Sequence, residues 1–144
     1  MKFMDAEHKA FFEQQVAKTR TERDPYRKAM FYAFGLTDTT RRYINELYDY
    51  AEDCPRFAGA RRKAWQTSGS VHVTRLAFNL FNGYVSSGKA DKPKFYSPYE
   101  IFDDELMEWM FEAIRIRYPE HSAAGQERTK NFIDGLLKGD RNGI

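Results

Sequence analysis

The chain holds a single cysteine, Cys54, so no internal disulfide can form. A lone thiol fits a reducing compartment. Its three histidines, His8, His72 and His121, stand far apart and lack metal-ligand spacing, so no metal site and no cofactor are expected. No stretch of about 18 consecutive apolar residues occurs, so no membrane span is expected. The opening residues, Met1 to His8, are charged and carry no apolar run, which argues against a signal peptide. These absences together read as a soluble cytoplasmic protein. An excess of one charge is lacking too: 23 Lys and Arg stand against 21 Asp and Glu, a net charge of +2. That falls short of the basic footprint of a dedicated DNA binder. Neither an internal repeat nor a low-complexity block is visible.

What remains is ordinary globular material. The 144 residues fit one domain. Hydrophobic residues make up 42% and charged residues 31%, a balance that can bury a core. Aromatic residues reach 16%, with 12 Phe, 9 Tyr and 2 Trp. Such a share has two readings. One is a core packed with rings, which carry large buried areas. The other is a surface lined by Tyr and Trp, types favoured at binding hot spots.

Helical periodicity runs through most of the chain. His8, Phe11, Phe12, Gln15 and Val16 share one face of a first helix that Asp5 can cap. Asp24 and Pro25 form a cap-and-N1 start for a second helix, and Gly35 reads as its stop. Thr37 caps a third, expected to run to about Tyr50. A short helix ending near Trp65 is expected after Pro55. Ser70 reads as the N-cap of the most apolar helix, which Gly83 closes. Ser97, Pro98 and Glu100 spell a capping box, and Asp103 to Glu105 load the front of a helix running to Tyr118. Beyond Pro119 an amphipathic helix passes through Phe132, Ile133, Leu136 and Leu137, with a frayed end over Lys138–Gly143. No strand is evident. The expected fold is all-α: an irregular compact bundle of about six to eight helices around a central buried helix near residues 70–83.

Several motifs stand out together: Trp65-Gln66-Thr67-Ser68, the run Val73-Thr74-Arg75-Leu76-Ala77-Phe78-Asn79-Leu80-Phe81-Asn82-Gly83, Tyr96-Ser97-Pro98 with Ile101-Phe102, and Glu112-Ala113-Ile114-Arg115-Ile116-Arg117-Tyr118-Pro119-Glu120. In these the chain resembles a small family of unknown function from Firmicutes genomes and their phages. The resemblance covers roughly residues 3–120. It divides the chain into a family-like helical domain over 1–120 and a C-terminal helical extension over 121–144, packed on that domain or frayed from it. It implies no activity. It implies a phage or prophage setting, in which small proteins act as inhibitors or counter-defence factors.

The candidate site gathers the residues that ordinary folding explains least. His72, Arg75, Asn79 and Asn82 fall on one narrow polar stripe of the most apolar helix. Arginine offers a rigid fork of donors for carboxylate or phosphate. Arg117 projects onto an apolar face, where a charge must be paired or reach outward. Gln66, Thr67, Ser68 and Ser70 precede a helix N-terminus, which can hold an anion through free N–H groups. Each also has a plain structural reading, as a cap, a solvated stripe or an internal ion pair. The expected function is non-enzymatic binding, of a host protein or of a small nucleotide-like anion, with a protein partner favoured. The ligand version requires Arg75 and Arg117 to converge on one cavity. The alternative is a nucleic-acid-associated regulator using Arg56, Arg61, Arg62 and Lys63. Self-association is left open.

Overall fold

Two helices, not one, form the centre. The computed structural model describes residues 1–61 and 63–142, with side chains to residue 139. Helix α2 (Pro25–Phe34) starts as its sequence dictates, with Asp24 accepting from the Tyr26 and Arg27 amides. Its last six residues, from Ala29 to Phe34, are all buried. A helix buried on every side must be surrounded, and α2 packs on α1 (Ala6–Thr19), α5 (Ser68–Asn82) and α7 (Met107–Arg117). The all-α expectation holds, and α5 is central as expected, but it shares that place with α2.

His8 joins α1 to α2. Its ring is fully buried; Nε2 donates to the Tyr32 carbonyl at 2.9 Å and Nδ1 accepts from the Met4 amide at 3.2 Å. That arrangement requires the neutral ring. Gly35 makes room for it: a Cβ there would stand 2.5 Å from His8 Cδ2. Gly35 ends α2 as expected, but with φ −72° it does so in the right-handed region, so what requires a glycine there is space. Burial holds the His8 pKa below 6.5, against the pull of the Tyr32 carbonyl and of Asp5. A depressed folded-state pKa contributes stability above 6.5 and loses it as pH falls through the folded value. At the other limit, burial raises Tyr32, Tyr48 and Tyr96, and pushes Tyr50 up to about 12. Raised values contribute stability below the ordinary 10.0 and lose it above. Thermal melts should therefore show a plateau between these limits, and His8→Gln should flatten the acid limb. An unchanged acid limb in that variant would assign it to other groups.

The third helix departs from expectation. Thr37 caps α3 (Asp38–Arg42) as read, but the chain breaks at Tyr43, gives only one more turn, α4 (Ile44–Leu47), and then extends. Tyr48–Asp49 (β1) pairs antiparallel with Cys54–Pro55 (β2), a strand pair the sequence did not announce. The cause is partly tertiary. Asp49 accepts from the Ala51 and Glu52 amides, the Tyr48 hydroxyl bonds Asp53, and Arg27 of α2 reaches the Asp53 carbonyl at 2.6 Å. Phe57–Ala60 is a single 3-10 turn, in place of the helix expected before Trp65.

Helix α5 begins at Thr67, not Ser70. Thr67 accepts from the Ser70 amide while the Ser70 hydroxyl accepts from the Thr67 amide, a closed capping box. Gly83 ends it in the left-handed region at φ 77°. After a 3-10 turn at Pro93–Tyr96, α6 (Pro98–Ile101) lasts one turn, and Ser97 makes no side-chain cap bond. The acidic run Asp103 to Glu105 lies in the turn before α7. The last helix, α8 (Ala123–Asn142), is continuous through Lys138 to Asn142, where fraying was expected; Gly143 lies outside the described residues. No helix among the described residues is long and apolar enough to cross a membrane.

Candidate functional site

Most of the residues singled out from the sequence are engaged within the chain. Arg75 Nε donates to Asp91 at 3.0 Å, with the Arg75 side chain 11% and the Asp91 side chain 1% exposed. The guanidinium also lies over the Phe95 ring, 4.6 Å from its centroid. Asp91 accepts a second bond from the Tyr96 hydroxyl. The 85–96 loop thus brings a carboxylate and two rings to the polar stripe of α5. Asn79 donates to the Tyr84 carbonyl at 3.2 Å, which fastens the turn after Gly83. Asn82 is exposed. His72 is half-buried, and its Nδ1 is buried with no hydrogen-bond partner among the described residues.

Arg117 does not meet Arg75. Its Nε donates to the Leu80 carbonyl at 2.7 Å, and its guanidinium lies 3.6 Å from the Tyr26 ring centroid and 4.6 Å from that of Tyr118. Cation–π contact on two rings and a carbonyl at the end of α5 satisfy a charge on an apolar face. The two arginines share none of these partners, so the convergence that ligand capture between them requires is not what their contacts describe.

The start of α5 is similarly engaged. Gln66 Nε2 donates to the Gly59 carbonyl at 2.7 Å, and the Ser70 hydroxyl bonds Gln66 Oε1. Thr67 and Ser70 close the box described above, and Ser68 is exposed. The neighbour across this helix end is a carboxylate: a Cβ on Gly69 would lie 3.9 Å from Asp103 Oδ2. Asp103, Asp104 and Glu105 line the adjoining hollow. A positive helix end facing acidic side chains is already complemented and disfavours an anion. In the basic stretch, Arg56 pairs with Asp49 at 3.2 Å, Arg61 and Lys63 are exposed, and Arg62 lies outside the described residues.

A second group of cations surrounds a cleft. A cleft of about 910 Å³ opens where the start of α2, the last turns of α7 and the first turns of α8 meet. Pro25, Ile116 and Pro119 give it apolar walls, and Arg23, Lys28, Arg115 and Arg128 give it positive charge against Glu22 and Glu112. Arg115 pairs with Glu112 at 3.1 Å. Among the described residues, Arg23, Lys28 and Arg128 have no carboxylate within 4.0 Å. Sequence reading missed this grouping because Arg128 stands about a hundred residues from Arg23 and Lys28, and none of the three sits in a local motif. Asp91 was missed for the opposite reason: it stands among lysines in a loop, and only the adjacent Phe95-Tyr96 pair hints that the loop is anchored.

No curated protein and no solved structure matches the chain. Residues 1–130 match a family described as a family of unknown function, DUF6075, a longer span than the motifs alone suggested. The chain therefore belongs to the DUF6075 family, whose match takes in the whole helical body, the 910 Å³ cleft and the root of α8.

Proposed function

We propose that the chain is a non-enzymatic binding protein that holds an anionic segment of another protein in the cleft between α2, α7 and α8. The observation that carries this reading is the set of three cations, Arg23, Lys28 and Arg128, unpaired around one cleft with apolar walls. Six other arginines, Arg27, Arg41, Arg42, Arg56, Arg75 and Arg115, pair with carboxylates of their own chain. Cations left without internal partners favour an external anion and speed its approach. The cleft falls at the upper end of the usual ligand-pocket range of about 300–1,000 Å³. Binding rather than catalysis is supported by where the displaced titrations lie. His8, Tyr48, Tyr50 and Tyr96 are bonded to groups that do not line this cleft, and Tyr32, which donates to the Lys2 carbonyl, feels Glu112 and Arg115 of the cleft wall only through their charge. In a phage or prophage setting, which the motif resemblance suggests, the partner is a host protein and the effect is counter-defence by occupying its surface in the cytoplasm.

The test uses a glutamate-rich peptide, with ATP and inorganic phosphate as separate arms, and the triple variant Arg23→Glu, Lys28→Glu, Arg128→Glu. The peptide should bind the wild type, weaken as salt rises, and bind the variant at least about tenfold more weakly, a loss of about 1.4 kcal/mol. The variant's melting temperature should stay near wild type, since Arg23 and Arg128 are exposed. Salt-insensitive binding, or equal binding by the variant, would remove the cleft from the function. Binding of ATP but not the peptide would replace a protein partner by a nucleotide.

A further inference from the structure

Among the described residues, none covers the apolar face of helix α8. Phe132, Ile133, Leu136 and Leu137 lie on one side of the helix, at spacings of one and four residues. They are 67%, 49%, 54% and 54% exposed. Every residue from 126 to 139 is exposed, and α8 packs chiefly on the Pro119–His121 turn at its root. A second uncovered stripe lies on α7: Phe111, Ile114 and Tyr118, at spacings of three and four. Phe111 and Tyr118 are 41% and 39% exposed, and a hollow of about 320 Å³ adjoins Ile114 and Tyr118.

The α8 of the same copy is not free to cover that stripe. Its root is pinned: the Ser122 hydroxyl donates to the Pro119 carbonyl at 2.7 Å and accepts from the Gly125 amide at 3.0 Å. Gly125 is pressed so closely on the turn that a Cβ there would stand 1.7 Å from the Pro119 carbonyl oxygen. Swinging α8 back onto its own α7 would break this joint. We propose that the occupant is a second copy: two chains associate by each laying its α8 on the α7 stripe of the other. A stable interface buries about 1,200–2,000 Å² in total. An α8–α8 contact alone would cover four large apolar side chains per copy; the reciprocal arrangement covers seven. Charge agrees. Lys130 and Asp134 border the α8 face beside Ile133, and Glu108 and Arg115 border the α7 stripe, all exposed. Each border therefore carries both signs, and opposite signs can be set against each other when α8 lies on α7. A reciprocal two-fold contact of this kind is isologous, so it closes and does not propagate.

Sedimentation velocity across the micromolar range tests it. The wild type should dimerise. Leu136→Asp with Leu137→Asp should weaken association at least about thirtyfold, with the melting temperature of the monomer unchanged because α8 adds nothing to the core. Phe111→Glu should act similarly. Because Phe111 also meets Phe102 edge-on, a charge swap guards against misfolding: Glu108→Lys should weaken the dimer and Lys130→Glu in the same chain should restore it. A monomeric wild type overturns the proposal, as does a dimer that survives the α8 variant. A dimer lost with the α8 variant but indifferent to Phe111→Glu and to the charge swap overturns the α7 seat. None of these positions lines the basic cleft, so the outcome is independent of the cleft's role.

Discussion

Asp91→Ala should lower the unfolding free energy by about 3–5 kcal/mol, the cost of leaving one member of a buried ion pair without its partner. Asp91 is 1% exposed and accepts from Arg75 and from the Tyr96 hydroxyl, so one substitution strands both donors. Urea unfolding read by linear extrapolation measures it. Tyr96→Phe should cost only about 1 kcal/mol, because the stronger charge-assisted bond remains. Arg75→Met combined with Asp91→Leu should recover most of the loss, since apolar replacement of a whole buried pair is often neutral. The set also bears on function. An arginine held ready for an external anion would gain from losing its internal carboxylate, and Asp91→Ala would then be mild. A loss below about 1 kcal/mol would reopen Arg75 as a ligand group.

Phe78→Ala should be as damaging, at about 3–5 kcal/mol, because it empties the middle of the ring cluster. Phe78 is fully buried, with Phe34 edge-on at 5.7 Å, Phe57 at 5.1 Å and Tyr84 at 6.0 Å between centroids. Phe57 comes from the turn after the strand pair, and Tyr84 stacks on it at 4.2 Å. The cluster therefore ties three separate segments to α2. Phe78→Leu should cost clearly less, since it keeps part of the volume. Equal losses for the two would mean that ring geometry, rather than filled space, sets the stability.

Which parts of this were legible follows from how local each cause is. Asp5, Asp24-Pro25, Thr37 and Gly83 announce helix ends because a cap is settled within four residues. Helical projection sets Phe78 at the edge of the apolar arc of α5 and cannot see Phe57, which arrives from another segment. The aromatic richness resolves mostly into the first of its two readings, buried rings, though Tyr99 remains 92% exposed. Ser70 was misread as the cap because Thr67 and Ser70 are both good caps, and the closed box decides only once both side chains are placed. The Tyr48–Asp49 strand was invisible because it depends on Arg27, more than twenty residues earlier. Helical projection draws the polar stripe His72, Arg75, Asn79 and Asn82, but a stripe does not say what faces it, and Asp91 faces Arg75. The cleft was out of reach altogether, since Arg128 joins Arg23 and Lys28 only after α2, α7 and α8 have met.

The pinned root of α8 separates two kinds of evolutionary freedom. Residues 126–139 bury nothing in their own chain, so substitutions there are not constrained by the core. Ser122 and Gly125, by contrast, fix the direction in which the helix leaves the body. Selection can thus rewrite the arm residue by residue, and with it the choice of partner, while the joint keeps presenting whatever sequence it carries at the same angle. Such a chain can change its associations quickly without refolding, and an engineer could graft another amphipathic helix after Gly125 on the same terms.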